Sequence, residues 1–208
     1  MGSRRALALL TVAGVLLAAL TWTLWPRPPL RPDSDAAVTI VFLGDSITHG
    51  HRLQQEAAFP YRLGQTLGVR ALNAGISGDT TEGGLGRVER DVLAHRPQVV
   101  VVELGVNDAF GRVPQSTTVA NLRAITQRIR AQGAAVVLVH TAVPGVAGDG
   151  NRRDLREIAR AEGATLVEDF LQGVVPEHTY DGLHPHAEGQ AMLAERLLPV
   201  LRQALGRP

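Results

Sequence analysis

Apolar residues fall along this chain in blocks. Five short runs rich in β-branched residues, at 38–43, 69–73, 98–104, 135–140 and 164–168, are continuous rather than alternating, and the third contains "VVVVEL". Continuous runs predict strands covered on both faces, as in a parallel sheet, because an antiparallel strand with one wet face alternates. The stretches between them carry helical patterns at 58–67, 82–94, 116–132 and 151–162, and a last one at 185–205. In that last helix Ala191, Leu193, Leu197, Leu198 and Leu201 make an apolar stripe, and Pro185 suits a first helical position. Strand and helix alternate five times with short links. The pattern predicts an α/β fold, a three-layer α/β/α sandwich around a mostly parallel sheet.

A different pattern precedes the first strand. Residues 6–25, "ALALLTVAGVLLAALTWTLW", hold no charge over 20 positions, with Arg4 and Arg5 before them and a proline-rich stretch after. At about 1.5 Å per helical residue this run spans the roughly 30 Å core of a bilayer, and Trp22 and Trp25 sit where an interfacial aromatic belt lies. It is long for a signal-peptide core and no clean A-x-A site follows. It is therefore expected to be an uncleaved anchor, with the domain on the outer side of the membrane. The expected organisation is a membrane anchor or signal segment at 1–25, a linker at 26–37 and one catalytic domain at 38–208.

Composition narrows the chemistry. The formal net charge is +1 with both signs scattered, so no basic face for nucleic acid is expected. There are no cysteines, which excludes disulfides, thiol catalysis and cysteine-ligated metals. There is no lysine either. A phospho-acceptor domain using Asp45 after the first strand would need a late lysine and a neighbouring acidic pair for magnesium, so that reading fails.

In an open α/β sheet the ligand site lies beyond the carboxyl ends of the strands. Strand one ends on Gly44-Asp45-Ser46, strand two on "NAGISGDT" (73–80), strand three on "GVND" (105–108), and "DGLHP" (181–185) precedes the last helix. These are the parts of a serine hydrolase. A serine hydroxyl needs a base, for which His184 is the candidate, and an imidazole needs an orienting carboxylate, which Asp181 supplies from the same loop. An acyl oxyanion needs preorganised donors, available from the Ser46 backbone N–H, the Gly78 loop and the Asn107 side-chain amide.

"GDSITHG", "NAGISGDT", "GVND" and "DGLHP" resemble the four sequence blocks of the SGNH (GDSL-type) hydrolases, in order and over 38–205. "NAGISGDT" and "VVELGVND" are most similar to the bacterial branch of multifunctional thioesterase I, lysophospholipase L1 and arylesterase. The resemblance implies the flavodoxin-like five-stranded SGNH fold. It also implies a nucleophile at Ser46, oxyanion donors at Ser46, Gly78 and Asn107, and a triad completed by Asp181 and His184. Aryl esters, acyl thioesters and lysophospholipids would be cleaved through an acyl-enzyme, without cofactor or metal, by an exported, monomeric protein. Gly75, where relatives carry serine, and Val106 depart from the pattern and bear on acyl preference.

Each block alone has a plainer reading. Gly-Asp-Ser and Asp181-Gly182 are turn signals, Asn107-Asp108 a helix start, and Gly75 and Gly78 sources of positive φ. Their occurrence in order, each after a strand or at the final helix, outweighs those readings. His184-x-His186 gives no shared helical face for a metal, and His140 is expected in the core. Asp45 is expected to be structural, and "GGLGR" (83–87) follows no strand and is no dinucleotide fingerprint. The loops at 141–151 and 171–180 are expected to wall an acyl pocket. A sugar O-deacetylase of the same fold and a catalytically silent, membrane-tethered binding module remain as alternatives.

Overall fold

The computed structural model describes residues 38–143 and 149–207. The expected anchor (6–25), the linker (26–37) and part of the 141–151 loop lie outside them. Among the described residues no helix is long and apolar enough to cross a membrane.

Five strands form the sheet: β1 (Thr39–Gly44), β2 (Arg70–Gly75), β3 (Val99–Glu103), β4 (Ala135–Val139) and β5 (Thr165–Val167). Their order is β2-β1-β3-β4-β5 and every pairing is parallel. The helices are α1 (Ser46–His49), α2 (Phe59–Leu67), α3 (Thr81–Asp91), α4 (Val106–Phe110), α5 (Gln115–Ala131), α6 (Asp149–Glu162) and α7 (Ala187–Ala204). Short 3₁₀ turns lie at Gln55–Ala57 and Leu93–His95.

The continuous apolar runs are used on both faces, as their pattern requires. On one face Ile40, Phe42, Val99, Val101 and Val137 pack with Phe59 and Leu63 of α2 and with Leu193, Leu197 and Leu201 of α7. On the other, Val41, Leu43, Val100, Val102 and Val136 pack with Leu122, Ile125 and Ile129 of α5 and Ile158 of α6. Full burial of side chains of this size contributes roughly 1.5–3 kcal/mol each before the entropy of ordering them is charged. The α7 stripe narrows to Leu193, Leu197 and Leu201, with Ala191 and Leu198 only half-buried.

Two boundaries differ from the sequence reading. The helix expected at 82–94 stops at Asp91 and continues as the Leu93–His95 turn. Pro185 is not a first helical position: it pairs with Thr179 in an antiparallel bridge, and α7 begins at Ala187 after His186 in extended conformation. Proline tolerates both roles, since its fixed φ also suits a strand edge. Here the backbone pairing across 178–186 decides.

The chain leaves β1 for β2 on one side and reaches β3 on the other, so the sheet's switch point lies between the carboxyl ends of β1 and β3. A glycine closes each of the first two strands. At Gly44 a Cβ would stand 2.9 Å from the Glu103 carbonyl oxygen, and at Gly75 one would stand 2.8 Å from the Thr48 carbonyl carbon. Gly75 is thus required by close approach and not by positive φ, whereas Gly78 does have φ +78°.

Candidate active site

Ser46 is the first residue of α1, directly after the β1 terminus, and is buried. Asp45 caps this short helix by accepting the Ile47 N–H at 2.9 Å. Behind it, Gln190 of α7 donates to the Ile47 carbonyl and accepts the Phe59 N–H, both at 2.9 Å. Two otherwise unpaired backbone groups are satisfied by one buried amide, which locks α1 to α2 and α7.

Ser46 Oγ lies 3.0 Å from His184 Nε2. His184 Nδ1 lies 2.8 Å from Asp181 Oδ2. The other Asp181 oxygen accepts the backbone N–H of His184 at 2.9 Å and of Leu183 at 3.2 Å. The His184 backbone N–H, then its ring, and then the Leu183 N–H hold the Asp181 carboxyl down to about 2. The carboxylate is therefore fully ionised when the imidazole must accept a proton.

The Asn107 amide lies between the first two loops. Its Nδ2 donates to the Asp79 carbonyl at 2.8 Å and to Asp45 Oδ2 at 3.3 Å, so it touches the residue after Gly78 and the residue before Ser46. Among the described residues the backbone N–H groups of Ser46 and Gly78 meet no protein acceptor. Asp108 holds α4 in place by accepting the Thr81 N–H at 2.9 Å and the Thr118 hydroxyl at 3.2 Å. Arg87 binds Asp79 at 2.7 Å and caps the Ala74 and Gly44 carbonyls at 2.7 and 3.0 Å. The "GGLGR" stretch is therefore the body of α3, its arginine tying together the ends of β1 and β2.

Asp45 is structural as expected, and it belongs to a buried carboxyl pair that periodicity could not disclose. Burial, then the Glu103 carboxylate, push Asp45 well above the usual carboxylate range. Burial also raises Glu103. Glu103 accepts the Thr48 hydroxyl at 2.8 Å and the Thr141 hydroxyl at 2.9 Å, as well as a hydrogen bond from Asp45. Two carboxyls this close and this dry do not both ionise, so Asp45 keeps its proton and its O–H donates a hydrogen bond to Glu103.

The remaining histidines separate. His140 is fully buried, with Nδ1 3.9 Å from Asp169. His49 is exposed and reaches the Gly75 carbonyl at 3.3 Å. His51 lies against His184, ring centroids 4.4 Å apart. His186 faces His178 instead of the site. Within the 171–180 loop Leu171 and Val174 are fully buried in the core against α7, and Tyr180 is exposed. Phe110, at the end of α4, is the other exposed large apolar side chain among the described residues.

A doubly wound parallel sheet with a serine, histidine and aspartate hydrogen-bonded in series over its carboxyl edge defines a serine hydrolase. Residues 42–192 match the GDSL-like Lipase/Acylhydrolase family, and the chain belongs to that family. It is 32% identical to an arylesterase of Vibrio mimicus over 80% of this chain and 89% of that one. It is 32% identical to the thioesterase 1/protease 1/lysophospholipase L1 of Escherichia coli (strain K12) over 77% of this chain and 81% of that one. Its fold superposes on the crystal structure of TesA with a TM-score of 0.75 at 32% identity, covering 80% of this chain and 99% of that one. The chain is an ester-hydrolysing enzyme of the GDSL class.

Proposed function

We propose that this enzyme cleaves acyl and aryl esters and thioesters through an acyl-enzyme on Ser46. The observation that carries the reading is the 3.0 Å approach of Ser46 Oγ to His184 Nε2, with Asp181 on the opposite ring nitrogen. In the first step Ser46 Oγ bonds to the acyl carbon while its proton moves to His184 Nε2, and Asp181 stabilises the resulting imidazolium. The carbonyl π electrons move onto oxygen, which takes hydrogen bonds from the Ser46 and Gly78 N–H groups and from Asn107 Nδ2 in place of its longer, 3.3 Å contact with Asp45. Collapse expels the alcohol or thiol, which takes the proton from His184. A water molecule then repeats the sequence in reverse, releasing the acid and regenerating Ser46.

The names of the relatives that are at least 30% identical over most of the chain support ester and thioester substrates and do not favour a sugar O-deacetylase. The exposed Phe110 and Tyr180 support apolar acyl or aryl groups. The uncharged run at 6–25 supports an exported enzyme anchored on the outer side of the membrane, and we take it to act as a monomer.

The test is a panel of p-nitrophenyl esters, acyl-CoA thioesters and lysophospholipids of graded chain length, run on wild type and Ser46→Ala. A serine-directed phosphonate should label Ser46 alone. Turnover persisting in the purified variant, or labelling at another serine, would sink the assignment. Membrane fractionation with external protease tests the anchor, and sedimentation of a protein starting near Asp35 tests the monomer.

A further inference from the structure

We propose that His178, His186 and Glu188 form a binding site for a divalent transition-metal ion of the zinc class, at the base of the hairpin whose tip carries Asp181 and His184. One ligand atom from each of the three lies within 4.8 Å of the others. His178 Nδ1 stands 3.4 Å from Glu188 Oε2. Two ligands each about 2.0–2.2 Å from one tetrahedral zinc also stand about 3.4 Å apart. The His178 and His186 rings meet edge to face, centroids 5.7 Å apart and planes at 80°.

The backbone preorganises these donors. The His186 N–H donates to the His178 carbonyl at 3.0 Å, and the Tyr180 N–H to the His184 carbonyl at 2.9 Å, with the Thr179–Pro185 bridge between them. The His178 N–H is anchored on the Val174 carbonyl at 2.8 Å. A Cβ on Gly189 would lie 2.5 Å from the His178 carbonyl oxygen, so the first turn of α7, which bears Glu188, presses on the backbone of His178. Small ligand adjustments therefore suffice, without rearrangement of the chain.

Two imidazoles and one carboxylate suit zinc, cobalt or nickel and do not suit magnesium or calcium, which prefer all-oxygen sets. The Glu188 side chain is 70% exposed, which leaves an entry path and open positions for water. A bound ion would join both ends of the 178–186 hairpin and so steady the segment that holds His184 against Ser46. His184 is not a ligand, so the metal site and the catalytic relay are separable.

The test is equilibrium dialysis of untagged protein against Zn²⁺ and Co²⁺, with thermal melts alongside. One equivalent should bind to wild type and equally to His184→Ala, the cobalt form should show visible d–d absorption, and Zn²⁺ should raise Tm where Mg²⁺ and Ca²⁺ do not. His178→Ala and His186→Ala should lose the equivalent, with His178→Gln as a second variant if the alanine protein fails to fold. Glu188→Gln should bind at least about tenfold more weakly. Binding that survives both histidine variants, binding lost in His184→Ala, or no stoichiometric binding to wild type would each overturn the site. None of these readouts uses turnover, so they stand apart from the esterase assignment.

Discussion

The imidazole of His51 packs on that of His184, with ring centroids 4.4 Å apart and planes inclined by 39°. Desolvation, then the neighbouring His184, hold His51 below the ordinary histidine range, so it is neutral at pH 7. It covers the base without opposing the positive charge that the base acquires in the transition state. His51→Phe keeps that cover and should retain near wild-type kcat/KM. His51→Arg places a fixed cation beside the forming imidazolium and should lower kcat/KM about tenfold or more, the equivalent of one pKa unit. Equal rates for the two variants would show that His51 has no electrostatic part.

Asn107→Ala should lower kcat on the order of a hundred- to a thousandfold with little change in KM, because the donor's bond strengthens as charge develops on the acyl oxygen. Asn107→Asp should be at least as harmful. It adds a third carboxyl beside Asp45 and Glu103 and turns a donor into an acceptor facing negative charge. Near-normal steady-state rates in both would leave Ser46 and Gly78 as the only oxyanion donors.

Asp181→Asn should leave the hairpin folded but present an amide donor to His184 Nδ1, favouring the tautomer whose Nε2 already carries a proton. That ring cannot take the Ser46 proton, and kcat should fall on the order of 10⁴-fold. Nitrogen chemical shifts of His184 would report the tautomer directly. A fall in rate with the wild-type tautomer would contradict this cause.

The Asp45–Glu103 pair predicts a pH dependence of stability with a definite sign. Both folded carboxyls are raised above their unfolded values. The native state therefore holds more protons than the unfolded chain once pH passes the ordinary carboxylate range, and stability falls as pH rises through the raised folded values. Asp45→Asn keeps a hydrogen-bond donor to Glu103 and removes the Asp45 titration, so the decline in Tm above the ordinary carboxylate range should flatten. Asp181 works in the opposite sense: its stabilising contribution is present above the unfolded value near 3.8 and is lost as pH falls toward about 2. An unchanged slope over that range in Asp45→Asn would place the sensitive group elsewhere.

The sequence by itself determined the layers and the edge on which chemistry occurs. Runs such as 98–104 are apolar without alternation, and this is enough to demand a sheet covered on both faces. All strands of a parallel sheet end on the same side, so whatever follows each run meets the others there. That is why Ser46, Gly78, Asn107, Asp181 and His184 could be named from four separate segments.

Tertiary structure decided what holds them. The order β2-β1-β3 sets Asp79 beside Asn107 and Glu103 beside Asp45, and the closing of α7 on the sheet sends Gln190 to Ile47 and Phe59. The pairing of 178 with 186 moved Pro185 out of the last helix and turned His186 toward His178. None of these contacts has a period along the chain. Each exists because folding removes polar groups from water, and a buried N–H, carbonyl or carboxyl must then find its partner wherever the fold has brought one, however distant in sequence.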